Sequence, residues 1–118
     1  MAYSAENLTR STLLANSVRV AGASAERRQG LLGVKELRPG EGLWIGPCEA
    51  IHTVGMKWPI DVVFLDSDRR VCKVKPALRP WRIVICLAAA AVLELPEGAL
   101  TISGTKVGDL LAFHPSSN

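Results

Sequence analysis

A chain of 118 residues with 48% hydrophobic and 21% charged residues can close one apolar core without staples, and reads as one soluble globular domain. Its formal net charge of +3 is too small to define a binder of acidic partners by itself. Three cysteines without a Cys-x-x-Cys pair argue against a disulfide framework or a structural zinc site, and suit reduced thiols in a cytosolic chain.

The opening stretch, MAYSAENLTRSTLLANSVRV, has no long apolar run behind a basic start, so no secretory signal is expected. The most apolar run, from Ile83 to Leu93, is far shorter than the roughly 20 residues a membrane span needs. A cytoplasmic protein without membrane insertion is the expectation. Residues 1–11 are polar and without period and read as a loose segment. Residues 12–114 read as a single β-rich domain, and residues 115–118 as a polar tail.

Leu13 to Ala21 suits an edge strand. Ser24 reads as the N-cap of a short helix running to about Leu32, with Gly30 or Gly33 ending it. Arg38-Pro39-Gly40 is a turn signal. Leu43 to Ile45 starts a strand that Gly46-Pro47 stops, and an irregular loop follows from Cys48 to Trp58. Ile60 to Leu65, IDVVFL, is the strongest β-prone run in the chain. Asp66-Ser67-Asp68 turns it back into Val71 to Lys75, where Cys72 and Val74 should face the core and Lys73 and Lys75 the water.

The next stretch is ambiguous: Ile83 to Cys86 favours strand, while the alanines that follow predict a short helix from about Leu87 to Val92. Pro96-Glu97-Gly98 predicts a turn, Ala99 to Ser103 a strand, and Leu110 to Phe113 the last strand. Many short strands between Gly/Pro turns predict a mainly β fold, a jelly-roll-like sandwich or small barrel, with two short helices plugging its ends or covering an edge.

Several motifs along this path resemble one family. Gly30-Leu31-Leu32 follows Arg27 and Arg28. Then come Glu41-Gly42-Leu43-Trp44, Pro47-Cys48, Ile51-His52-Thr53, Met56, and Pro59 through Asp66. Val92 through Pro96 with Gly98, and Val107-Gly108-Asp109, complete the set. Together they resemble the uncharacterised family known as domain of unknown function 192, or uncharacterised protein family 0127, over nearly all of Leu13 to Phe113. The resemblance implies a small, mainly β, prokaryotic domain of jelly-roll-like architecture. It implies no established activity, and so no catalytic residues to carry over. The commoner family form reads Phe-Trp-Met-Lys-Asn-Thr where this chain has Ile51-His52-Thr53-Val54-Gly55-Met56, so chemistry at those positions belongs to one branch.

Cys48, His52 and Met56 stand at intervals of four, and soft thiol and thioether donors beside an imidazole are what copper prefers. A blue-copper site needs a second histidine, and His114, the other one in the chain, lies near the tail. The plainer reading gives Cys48 and Met56 to packing and His52 to a backbone partner. Cys48 could serve as a nucleophile with His52 as base and Asp61 as orienting group, yet no helix N-terminus is predicted beside it. Asp61, entering an apolar strand, must be paired or solvated, and turn amides or an arginine are its expected partners.

Arg69, Arg70, Lys73, Lys75, Arg79 and Arg82, with Trp81 among them, make residues 69–82 the one strongly basic segment. A nucleic-acid face there is conceivable, though basic strand faces are usually only solvated. The leading expectation is a non-enzymatic small-ligand- or protein-binding accessory module. Its groove would lie beside the Cys48–Met56 loop, lined by Trp44, His52, Thr53, Met56 and Trp58. No cofactor is expected, and a monomer or weak homo-oligomer is. The rival is an enzyme or metal site using Cys48, His52 and Asp61.

Overall fold

The computed structural model describes residues 2–21, 37–53 and 56–116. The helix expected from Ser24 lies outside them. Among the described residues nine strands occur in chain order: β1 (Ala2–Asn7), β2 (Thr12–Val20), β3 (Glu41–Ile45), β4 (Ala50–His52), β5 (Ile60–Leu65), β6 (Val71–Leu78), β7 (Ile83–Ile85), β8 (Ala91–Pro96) and β9 (Leu111–Pro115). A short helix, α1 (Ala99–Ser103), stands between β8 and β9.

Seven strands form a single sheet in the order β6-β5-β8-β3-β2-β1-β9. It curls until its edges touch, through an isolated bridge between Arg70 and Leu110 and the amide of Val71 donating to the Asp109 carbonyl. The result is a curled half-barrel. Its β2–β3 pair runs parallel, which an antiparallel jelly roll does not do, so of the two architectures expected the small barrel is the nearer. β4 and β7 pair separately as a two-stranded ribbon.

Strand alternation divides the core in two. Val63, Leu65, Leu93, Leu95, Val18, Ala5 and Leu111 fill the inside of the curl, with Leu100 of α1 among them. Ile60, Val62, Phe64, Val92, Leu43 and Ile45 face the outside, where Ile51 of β4, Val84 of β7 and Met56 cover them. All six residues of β5 are buried, which is why IDVVFL carries so few polar groups: core lies on both of its faces.

Four expectations change. The loose start is instead β1, paired with β2 and β9, because small Ala5 and polar Asn7 are both buried inside the curl. The helix expected from Leu87 to Val92 is instead a turn over residues 87–90 that leads into β8, where Ala91 pairs with Leu65 of β5; sheet pairing outweighs local propensity. The expected strand from Ala99 is α1. Cys72 and Val74 face opposite sides, because pairing jumps from Leu65–Val71 to Phe64–Lys73 and leaves Cys72 as the extra residue of a β-bulge. The β5–β6 hairpin itself stands as the sequence indicates.

Candidate functional site at the open end of the half-barrel

The two ends of the curl differ. At one, Gly98 opens α1 with a left-handed φ of 100° and no side-chain cap of its own. Asp61 of β5 supplies the missing acceptor. Its Oδ2 takes the amide hydrogens of Gly98 at 3.1 Å and Leu100 at 2.8 Å, and its Oδ1 takes that of Ala77 at 2.8 Å. Ala77 has a positive φ of 49° within the second irregularity of the β5–β6 ladder. A 1%-exposed carboxylate is thereby matched to three amides, and α1 is fixed as a plug. The turn amides expected for Asp61 are there.

Beside the plug lies a buried polar knot. Asn7 donates to Thr105 Oγ1 at 3.0 Å and to Asp109 Oδ2 at 2.9 Å, while Arg10 Nε reaches Asp109 Oδ2 at 2.6 Å. Burial by itself lifts the Asp109 carboxyl, yet the Arg10 guanidinium, the Asn7 side-chain amide and the Lys106 backbone amide outweigh it and hold its pKa at about 2.

The opposite end is open. Trp44 at the end of β3, Tyr3 at the start of β1, Phe113 on β9 and Arg69 in the β5–β6 turn surround a cleft of about 310 Å³, with Val18 and Val20 as its floor and lip. Trp44 and Phe113 meet edge to face, ring centroids 4.8 Å apart. The Arg69 guanidinium carbon stands 4.8 Å from the Trp44 centroid and 5.4 Å from that of Phe113, a stacked cation at the edge of water. Arg69 makes no ion pair among the described residues. The arrangement offers two aromatic faces and an unneutralised cation, a pairing that suits an anion with a flat apolar body. A second hollow of about 260 Å³ beside α1 is lined mainly by apolar groups such as Leu13, Pro96 and Ile102.

The residues expected to share one groove are dispersed. Trp44 lines the cleft just described, inside the curl. His52 points outward from β4 and is exposed, Met56 is buried in the outer core, and Trp58 is half-buried against it. Thr53 is structural: its hydroxyl donates to the Arg79 carbonyl at 2.7 Å and accepts the Arg82 amide at 2.9 Å. Its carbonyl takes the Trp81 amide at 3.0 Å. The clamp holds Trp81 at a φ of 63° with its side chain 65% exposed.

The Cys48 thiol donates to the Ala50 carbonyl at 3.0 Å and packs on the outer core, whereas Asp61 points inward at the plug. Cys48, His52 and Asp61 therefore form no relay; Cys48 and Met56 both pack on the outer core, while His52 is exposed. No group of three or more His, Cys, Asp or Glu side chains among the described residues could hold a metal. The basic segment divides as well. Arg69 stacks in the cleft, Arg70 donates to the Gly108 carbonyl, and Lys73 donates to the Ile85 carbonyl.

Two buried polar atoms lack a hydrogen-bond partner among the described residues, Trp58 Nε1 and Glu94 Oε1. Glu94 lies between Leu43 of β3 and Val62 of β5, on the outer face, and desolvation by burial pushes its pKa up to about 7.

Sequence reasoning overlooked Tyr3, Arg69 and Phe113 as a group. The available signal was that the chain has only one tyrosine and two phenylalanines, with Tyr3 and Phe113 at opposite ends of it. What hid their meeting was β1, which brings the two termini side by side through the Tyr3–Pro115 and Ala5–Phe113 pairs.

Fold and cleft together define a small curled-sheet domain, plugged at one end and open at the other. The family model for domain of unknown function 192, described as "Uncharacterized ACR", matches residues 6–113, and the chain belongs to that family. A UPF0127 protein of Thermococcus sibiricus is 32% identical over 112 residues, covering 87% of this chain and 70% of the relative. A UPF0127 protein of Pyrococcus horikoshii is 37% identical over 103 residues, covering 81% and 86%. Among solved structures, a protein of unknown function from Novosphingobium aromaticivorans superposes with a TM-score of 0.79 at 24% identity, over 95% of this chain and 84% of that one. One from Sinorhizobium meliloti, described provisionally as a transcription regulator, gives 0.80 at 24% identity, over 94% and 91%. At that identity the likeness shows the fold alone. Among the described residues no helix is long and apolar enough to cross a membrane.

Proposed function

We propose that this protein is a non-enzymatic binding module that takes a small anionic molecule with a flat apolar body, the aryl carboxylate class, in the cleft between Trp44, Tyr3, Phe113 and Arg69. One observation carries the reading: the Arg69 guanidinium rests on two aromatic rings at 4.8 and 5.4 Å with no carboxylate paired to it among the described residues. A guanidinium held in this way keeps its fork of N–H donors for an arriving anion, and the rings supply the apolar contact. Mouths of β-barrels are frequent ligand sites, because the sheet fixes side chains around an opening that water alone fills. The plug at the far end, tied down by Asp61, keeps the curl rigid behind the cleft. The same reading expects the protein in the cytoplasm, where three cysteines without a Cys-x-x-Cys pair suit reduced thiols.

A thermal-shift series tests it. Benzoate and indole-3-acetate should raise the melting temperature of the protein, benzylamine should not, and Trp44→Leu should abolish the rise. Equal shifts with the amine, or full shifts in Trp44→Leu, would overturn the reading.

A further inference from the structure

The bulge at Cys72 has a second effect on the outer face. It turns two consecutive residues of β6 toward the end of β7. Lys73 Nζ donates to the Ile85 carbonyl at 3.0 Å, and Cys72 Sγ comes within 3.5 Å of Cys86 Sγ. Both thiols are free and half-buried, so a small oxidant can reach them while the core stays closed. The backbone at Cys86 is fixed by its amide, which donates to the Glu49 carbonyl at 2.7 Å. Cys72 has the Phe64 carbonyl 3.4 Å from its sulfur. A regular ladder would not place these sulfurs together: the extra residue in β6 does, and bulges recur where a strand must re-aim a side chain.

We infer that Cys72 and Cys86 form a reversible dithiol–disulfide site that takes two electrons' worth of oxidation from a glutathione-type disulfide and staples the edge strand β6 to the β4–β7 ribbon. Closing a bond of about 2.05 Å from the observed contact asks for side-chain rotation more than backbone movement. Burial first, and then the neighbouring Cys86, push the Cys72 thiol up to about 11, so Cys72 is protonated at neutral pH and Cys86 meets the oxidant first. The Cys86 sulfur attacks one sulfur of oxidised glutathione, forming a mixed disulfide and releasing one glutathione thiolate, which takes the Cys86 proton. The Cys72 sulfur then attacks the Cys86 sulfur of that adduct, and the second glutathione leaves with the Cys72 proton. Two protein thiols and one oxidised glutathione give one protein disulfide and two reduced glutathiones. The closed loop contains Trp81 and the turn that Thr53 clamps.

The test equilibrates the full chain in glutathione buffers of rising oxidised fraction, then traps free thiols by alkylation after unfolding and maps the peptides. Cys72 and Cys86 should disappear from the alkylated pool together and return as one cross-linked peptide with no retained glutathione, while Cys48 labels throughout. The oxidised form should melt roughly 5–10 °C higher. Cys72→Ser should leave Cys86 carrying glutathione, and Cys86→Ser should leave Cys72 unmodified. Cross-links involving Cys48, a persistent glutathione adduct in the unsubstituted protein, or two free thiols at the fully oxidising end would each overturn the inference.

Discussion

The carboxylate of Asp61, near the start of β5, accepts the amide hydrogen of Leu100 at 2.8 Å and so joins β5 to the helix that closes one end of the curl. With Gly98 and Ala77 it makes three such bonds, and no side chain of α1 caps that helix. Removing the acceptor leaves buried amides unmatched, the most expensive way to lose a hydrogen bond. Asp61→Ala should lower stability by about 3 kcal/mol or more in urea unfolding, and Asp61→Asn, which keeps one oxygen, by about half as much. A loss below about 1 kcal/mol for the alanine variant would mean the plug is held by apolar packing alone.

Glu94 sets a pH dependence in the unusual direction. Its pKa rises from 4.5 to about 7 on folding, so between those values the folded state holds the extra proton. Stability is greatest below the unfolded pKa and falls as pH rises toward 7, by about 3 kcal/mol in all. Glu94→Gln cannot lose that proton. Unfolding measured at pH 4.5 and at pH 8 should show the unsubstituted protein losing about 3 kcal/mol more than the glutamine variant. Parallel losses would show that the Glu94 carboxyl is solvated or paired.

Asp109 acts with the opposite sign. Its pKa falls from 3.8 to about 2 on folding, so its contribution is fully present above the unfolded value and disappears as pH drops through 2. The contribution is about 2 kcal/mol, and Asp109→Asn should flatten the acid limb of the stability profile by that amount between pH 5 and 2. Together the two carboxyls place their joint optimum between pH 4 and 5.

Trp81 is a fourth case, since its left-handed backbone is unfavourable for a non-glycine residue and its side chain buries little. Trp81→Gly should therefore stabilise the protein by up to about 1 kcal/mol, or leave it unchanged. Most tryptophan replacements in a core cost several kcal/mol. A loss of that size in thermal unfolding would assign Trp81 to packing that its exposure does not indicate.

Legibility in the sequence followed the distance over which each element is decided. The IDVVFL strand and its hairpin were readable because residues 60–75 decide them among themselves. β1 was not, since besides its neighbour β2 it pairs with β9, about a hundred positions away. The run after Leu87 looked helical because alanine suits helices; Ala91 is strand because Leu65 lies beside it. One bulge residue, Cys72, was enough to reverse which side of β6 Val74 faces. The family was legible from its motifs, whereas the cleft depends on Tyr3, Trp44, Arg69 and Phe113 meeting from four separate strands and turns.

The cleft is tested most directly by titrating indole-3-acetate into ¹⁵N-labelled protein and following amide shifts residue by residue. Shifts should cluster at Tyr3, Trp44, Arg69 and Phe113, saturate, and weaken about tenfold in Arg69→Gln, the loss expected for one charge-assisted contact. Shifts scattered over the surface, or an affinity the same in Arg69→Gln, would contradict the account.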